Sequence, residues 1–233
     1  MRRVASLILL LAACGVAALA QSPNSGAYTV GSVTIAVPPP AGFENVIGTI
    51  PNDHDRFTAS PKEGLLTIQV RSAIVPQLRN MPLMPLDIYT RVVVSPEIAD
   101  QTITTEFFGE VVTVSKGGFD SIYDKNGAVM TSAKANISEW ASHVRGRTTE
   151  VNIAKPLNLG SFNESPDSFS MLILSEVEYN GVRIPMLIST SMLRLKERLV
   201  NASIYKRNPR ESDISSLTEM TNTWTASILA ANK

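Results

Sequence analysis

Two apolar runs, residues 169–178 and 182–195, meet at the dipeptide Asn180-Gly181. Asn and Gly accept the positive φ angles of a type I′ turn, whose twist matches that of two paired strands. The runs are therefore expected to form a β-hairpin. After Lys196-Glu197 a third run, 198–205, doubles back, which makes this region an antiparallel meander. Asn208-Pro209-Arg210-Glu211 then reads as a helix start, with a capping Asn, Pro at the first helical position and Glu three residues after the cap. Ile214, Leu217, Thr221, Trp224, Ile228 and Ala231 recur at spacings of three and four, one apolar stripe for packing on a sheet.

The first half predicts further strands. Val33, Ile35 and Val37 alternate with Ser32, Thr34 and Ala36 until Pro38-Pro39-Pro40 stops the pattern. Ala41-Gly42-Phe43 turns the chain, and residues 46–50 read as a second extended piece. Residues 57–59 and 65–73 follow as strands, with Pro61 and Gly64 in the turn between them. The Pro- and Met-containing stretch 76–85 predicts a surface crossing without regular structure, and 86–94 fits either a short helix or a strand. Phe107, Phe108, Val111, Val112 and Val114 keep helical spacing against their β-branched content, with a stop expected at Gly117-Gly118. Residues 124–146 are polar and small, a long excursion pinned by Trp140. The fold class expected is α+β. An antiparallel sheet of N-terminal strands and C-terminal meander is flanked by helices, with the amphipathic C-terminal helix packed on it.

Arg2-Arg3 followed by the largely apolar stretch Val4 to Ala13 reads as the charged and hydrophobic parts of a bacterial export signal. Two processing sites compete. Ala18-Leu19-Ala20 before Gln21 is the small-x-small pattern of signal peptidase, giving a signal peptide of residues 1–20 and a periplasmic or secreted protein. Leu11-Ala12-Ala13-Cys14 resembles a lipobox, giving a lipoprotein signal of residues 1–13, lipidation at Cys14 and a membrane-anchored protein. Residues 21–233 then form one domain. Cys14 is the only cysteine, so an intramolecular disulfide is excluded. Lys+Arg and Asp+Glu both number 21, and two of the bases lie in the leader, so the remainder is close to neutral. Such a charge gives no reason to expect nucleic acid as a partner, and the membrane enters only through an N-terminal lipid. The densest basic stretch, Arg194 to Arg198 with Lys206, Arg207 and Arg210, reads as a solvated face rather than a phosphate site.

A search for chemistry finds little. The chain has no G-x-S-x-G elbow and no dinucleotide or P-loop motif; Lys116-Gly117-Gly118 has the wrong order. His54 and His143 are the only histidines, and both read as loop residues. Asp53-His54-Asp55 gathers three potential metal ligands, yet adjacent residues of an extended chain point to opposite sides and cannot share one ion. Glu176 and Glu178 fall on one strand face, a solvent-facing stripe rather than a glycosidase pair. Sequons at Asn136, Asn163 and Asn201 are chance matches in a chain of bacterial character. No catalytic residue, cofactor or metal is assigned.

The stretch Val33-Thr34-Ile35-Ala36-Val37-Pro38 with Ala41-Gly42-Phe43, and the strand at 199–205 feeding a helix that ends at 224–232, resemble the photosystem extrinsic protein PsbP and related small bacterial envelope proteins. Residues 81–146 have no counterpart in that resemblance. It implies a sheet flanked by helices and an accessory or binding role, and it transfers no site residues. Two function classes follow. One is a non-enzymatic envelope module that binds a protein partner of unknown identity. The other is a periplasmic hydrolase or metal-dependent enzyme whose site assembles only in the fold.

Overall fold

The computed structural model describes residues 26–50, 64–81, 84–122 and 149–233, with isolated positions between 127 and 142. The strands in chain order are β1 (Ala27–Val30), β2 (Val33–Ala36), β3 (Phe43–Asn45), β4 (Gly64–Arg71), β5 (Ile88–Val94), β6 (Val151–Ile153), β7 (Leu157–Ser165), β8 (Ser168–Tyr179), β9 (Val182–Leu195) and β10 (Arg198–Arg207). The helices are α1 (Val75–Asn80), α2 (Thr105–Ile122) and α3 (Ser212–Ala231). Eight strands make one antiparallel sheet in the order β3-β4-β5-β10-β9-β8-β6, with β7 also paired to β8; β1 and β2 form a separate hairpin.

The meander is present as expected, and it is the spine of the sheet. Tyr179 pairs with Val182 across Asn180-Gly181, whose φ angles are 49° and 81°. The β9–β10 turn also has two residues, Lys196 and Glu197, at φ 47° and 60°.

The two faces of the sheet are covered differently. On one, α3 and the β1–β2 hairpin bury Leu217, Trp224, Ile228, Tyr28 and Ile35 against Leu193, Val200 and Ile204. On the other, α2 buries Phe108, Val111 and Phe119 against Phe169, Ile173 and Leu199, and α1 sets Leu78 beside Ile68 and Val70. The α3 face also carries a file of buried hydroxyls joined in pairs. Thr221 Oγ1 donates to Ser189 Oγ at 2.7 Å, Ser170 and Ser191 share a 2.7 Å bond, and Asn163 Nδ2 donates to Thr225 Oγ1 at 2.8 Å. Burying those groups without partners would cost about 1–3 kcal/mol each, so the pairs fix the seat of α3 on β9.

Several expectations need correction. Helix α3 begins at Ser212 rather than at Pro209. Asn208, at φ 48°, instead donates its backbone N–H to Pro185; the cap position falls on Glu211, whose side chain makes no capping bond, and Asp213 accepts from Arg210 N at 2.7 Å just ahead of the helix. The stripe is buried only in its middle, because Ile214 is 40% exposed and Ala231 lies at the surface. Helix α2 runs through Gly117-Gly118 without stopping, carried by Phe119 continuing the apolar spacing one turn after the buried Ser115. The stretch 76–85 is not irregular throughout. Pro76 sits in the first turn of α1, where its missing N–H costs nothing. Residues 46–50 form turns rather than a strand, with Thr49 N bonded to Val46 O; the strand is Phe43–Asn45. Residues 86–94 resolve into β5, whose alternate side chains are buried. Within 124–146 the described positions at 130–131, 133–135 and 137–138 are helical. The strand expected at 57–59 and the pin at Trp140 lie outside the described residues.

Candidate functional site

Strands β6 and β7 lie along one edge of β8, and this edge is irregular. Val151 to Ile153 pair with Tyr179 to Val177, and β7 resumes at Leu157 opposite Leu174 after Lys155-Pro156. The register slips again between Asn158 and Gly160 and between Phe162 and Ser165. Gly160 takes φ 134°, and its N–H is held by Asn158 Oδ1 at 2.9 Å. Bulges, a proline and a lysine are the devices by which an edge strand is kept from pairing with a stray chain. The edge is blunted against simple strand addition, yet it leaves Leu157 58% and Leu159 38% exposed.

Helix α2 runs beside this edge and leaves a seam with two depressions of about 360 Å³ each. Lys116, Phe119, Asp120, Lys155, Leu157 and Asn158 are among the residues lining one. Thr105, Phe108, Gly109, Val112, Glu164 and Pro166 are among those lining the other. The Lys116–Glu164 ion pair, at 2.5 Å, bridges the seam between them, and Lys155 pairs with Asp120 at 2.7 Å. Lys116 Nζ also lies 5.6 Å from the centre of the Phe169 ring.

The bond from Lys116, helped by Ser161, holds the Glu164 carboxyl below its ordinary range. A carboxyl that stays ionised through neutral pH is a poor proton donor, and one tied to a lysine is a weak base. Both pairs are largely exposed, so each contributes little to stability and can exchange partners with an incoming surface at small cost.

A second cluster lies on the α2 side of the sheet, where Tyr89 of β5 stacks on Tyr205 of β10 at 4.8 Å between ring centres. Burial pushes the Tyr89 phenol well above its ordinary range, and the nearby Tyr205 and Tyr179 phenols push it further. The Tyr89 phenol is therefore neutral at physiological pH.

Cys14, Asp53, His54, Asp55 and His143 lie outside the described residues. Among the described residues no three His, Cys, Asp or Glu side chains converge to hold a metal. Glu176 and Glu178 share a face, and Glu176 faces Arg183 at 3.7 Å. The basic stretch is not a uniformly solvated face. Arg198 is buried, donating to the carbonyls of Gln101 and Glu197 and to Ser32 Oγ, while Arg194 pairs with Asp167 and Lys206 with Asp87. These cations fasten the fold. Lys116-Gly117-Gly118, set aside as a failed nucleotide motif, contributes a lysine to the seam. The Asn163 sequon is engaged by Thr225. Sequence reasoning missed β7 and the seam, since Leu157-Asn158-Leu159-Gly160-Ser161 carries no sustained alternation.

No family model matches the chain, and no curated protein matches it. Among solved structures, the Saccharomyces cerevisiae Ran-binding protein Mog1p is similar at 13% identity, with 85% of this chain and 86% of that chain covered and a TM-score of 0.30. A point mutant of Mog1 is similar at 12% identity, with 88% and 92% covered and a TM-score of 0.31. Similarity this slight carries no argument about function.

Proposed function

We propose that the chain is an exported bacterial cell-envelope protein whose mature domain is a non-enzymatic module that binds a protein partner through the α2–β7 seam. The observation that carries this reading is the pair of exposed leucines, Leu157 and Leu159, on a bulged edge strand beside exchangeable Lys116–Glu164 and Lys155–Asp120 pairs. Apolar anchors ringed by polar groups are the composition of a protein-binding surface. The export leader and the resemblance to PsbP-like accessory proteins support the same reading. Two measurements test it. The protein recovered from intact cells should begin at Gln21 or at a lipidated Cys14; a full chain retaining Met1 in the cytosol contradicts export. Tagged native protein should retain a stoichiometric envelope partner that the Leu157→Asp/Leu159→Asp variant loses while melting at the same temperature. Equal retention by both would remove the seam from the proposal.

A further inference from the structure

Among the described residues, the β1–β2 hairpin makes no strand pairing with the main sheet. A two-stranded hairpin alone is marginal in water, so it gains stability only on docking. Its seat is composite, and most of the polar fasteners come from far along the chain. Asn232 grips the edge of β2 like a neighbouring strand, with Ala36 N donating to its Oδ1 at 2.8 Å and its Nδ2 donating to Ala36 O at 2.7 Å. Trp224 Nε1 donates to Pro38 O at 2.8 Å. Lys196 and Arg198, on the β9–β10 turn, reach Thr34 O and Ser32 Oγ. The separations in sequence are 196 residues for Asn232 and Ala36 and 186 for Trp224 and Pro38. By contrast β8, β9, β10 and α3 follow one another and pack on their immediate neighbours. Local pairings close cheaply, whereas distant ones wait until both surfaces exist.

We propose that β1–β2 is a strap that closes last. It docks only after α3 has packed on β9 and β10, so the segment following the leader stays undocked while the rest of the chain is made. Its use in export, where a late-folding leader-proximal segment keeps the chain transportable, rests on the function proposed above; the closing order does not.

Refolding of residues 21–233 from denaturant, followed by pulsed hydrogen exchange, tests the order. Amides of β8, β9 and β10 should gain protection first. Those of residues 27–36 should follow only in the phase that brings Trp224 fluorescence to its native value, read in a Trp140→Phe background. Protection of 27–36 together with or before the meander overturns the proposal. A second reading uses Asn232→Ala, which removes the clasp together with the Nδ2 bond to Ile228 O at the end of α3. Late contacts act on unfolding, so the variant should unfold about tenfold faster, equivalent to about 1.4 kcal/mol, with its folding rate unchanged. Slower folding with unchanged unfolding, or no change in either rate, contradicts it. Failure of export itself would show separately, as an uncleaved chain in cells, and would leave these kinetics as they are.

Discussion

The two turns of the meander have nearly the same backbone and opposite chemistry. Asn180-Gly181 and Lys196-Glu197 both hold two residues at positive φ, between 47° and 81°. In the first, the residues themselves prefer that conformation. In the second, neither does, and a non-Gly residue held there costs about 1–2 kcal/mol. The difference is repaid by what surrounds each turn. The Asn180-Gly181 tip is exposed and an added Cβ on Gly181 meets nothing within 4 Å. The Lys196-Glu197 tip is a junction: Glu197 O accepts from Ile103 N and from Arg198, and Lys196 donates to Thr34 O. One turn is encoded locally, while the other is held by tertiary contacts that need the strained carbonyl where it is.

Substitutions at the two turns should separate these cases. The largest effect is expected at Arg198→Ala, which strips a buried donor from Gln101 O, Glu197 O and Ser32 Oγ. It should cost about 3 kcal/mol in denaturant unfolding. The matching change beside the exposed turn, Arg183→Ala, removes only an exposed pair with Glu176 and should shift stability by less than about 0.5 kcal/mol. Similar losses at both sites would break the comparison. Next in size, Gly181→Ala should cost about 1–2 kcal/mol, purely from the backbone, since there is room for the methyl group. The most telling is Glu197→Gly, which relieves strain at the held turn. Allowing for the greater freedom of glycine in the unfolded chain, a gain of about 0.5 kcal/mol is expected in thermal unfolding. A loss there would mean that the Glu197 side chain itself contributes.

What could be read from sequence follows the same division. The Asn-Gly hairpin, the run of the meander and the central Trp224 of α3 were legible because local chemistry and apolar period agree. The start of α3 was not, because the capping signals at Asn208-Pro209 were overridden when Asn208 bonded to Pro185 across the sheet. Gly117-Gly118 reads as a stop for α2, yet the recurrence of Val111, Ser115 and Phe119 carries the helix through it. The α2–β7 seam was illegible for a different reason. Its partners, such as Lys116 and Glu164, lie 48 residues apart, and β7 is held by backbone pairing to β8 rather than by an apolar pattern. Edge strands of this kind leave little periodic signal.

Site-specific photo-crosslinking in intact cells tests the seam most directly. A photoreactive phenylalanine analogue is placed at position 157 or 159, with positions 182 and 214, exposed apolar residues elsewhere on the surface, as controls. A partner docked on the α2–β7 seam should give one discrete adduct from 157 or 159 and none from 182 or 214. The same adducts from all four positions, or none from 157 and 159, would contradict a partner surface at this edge.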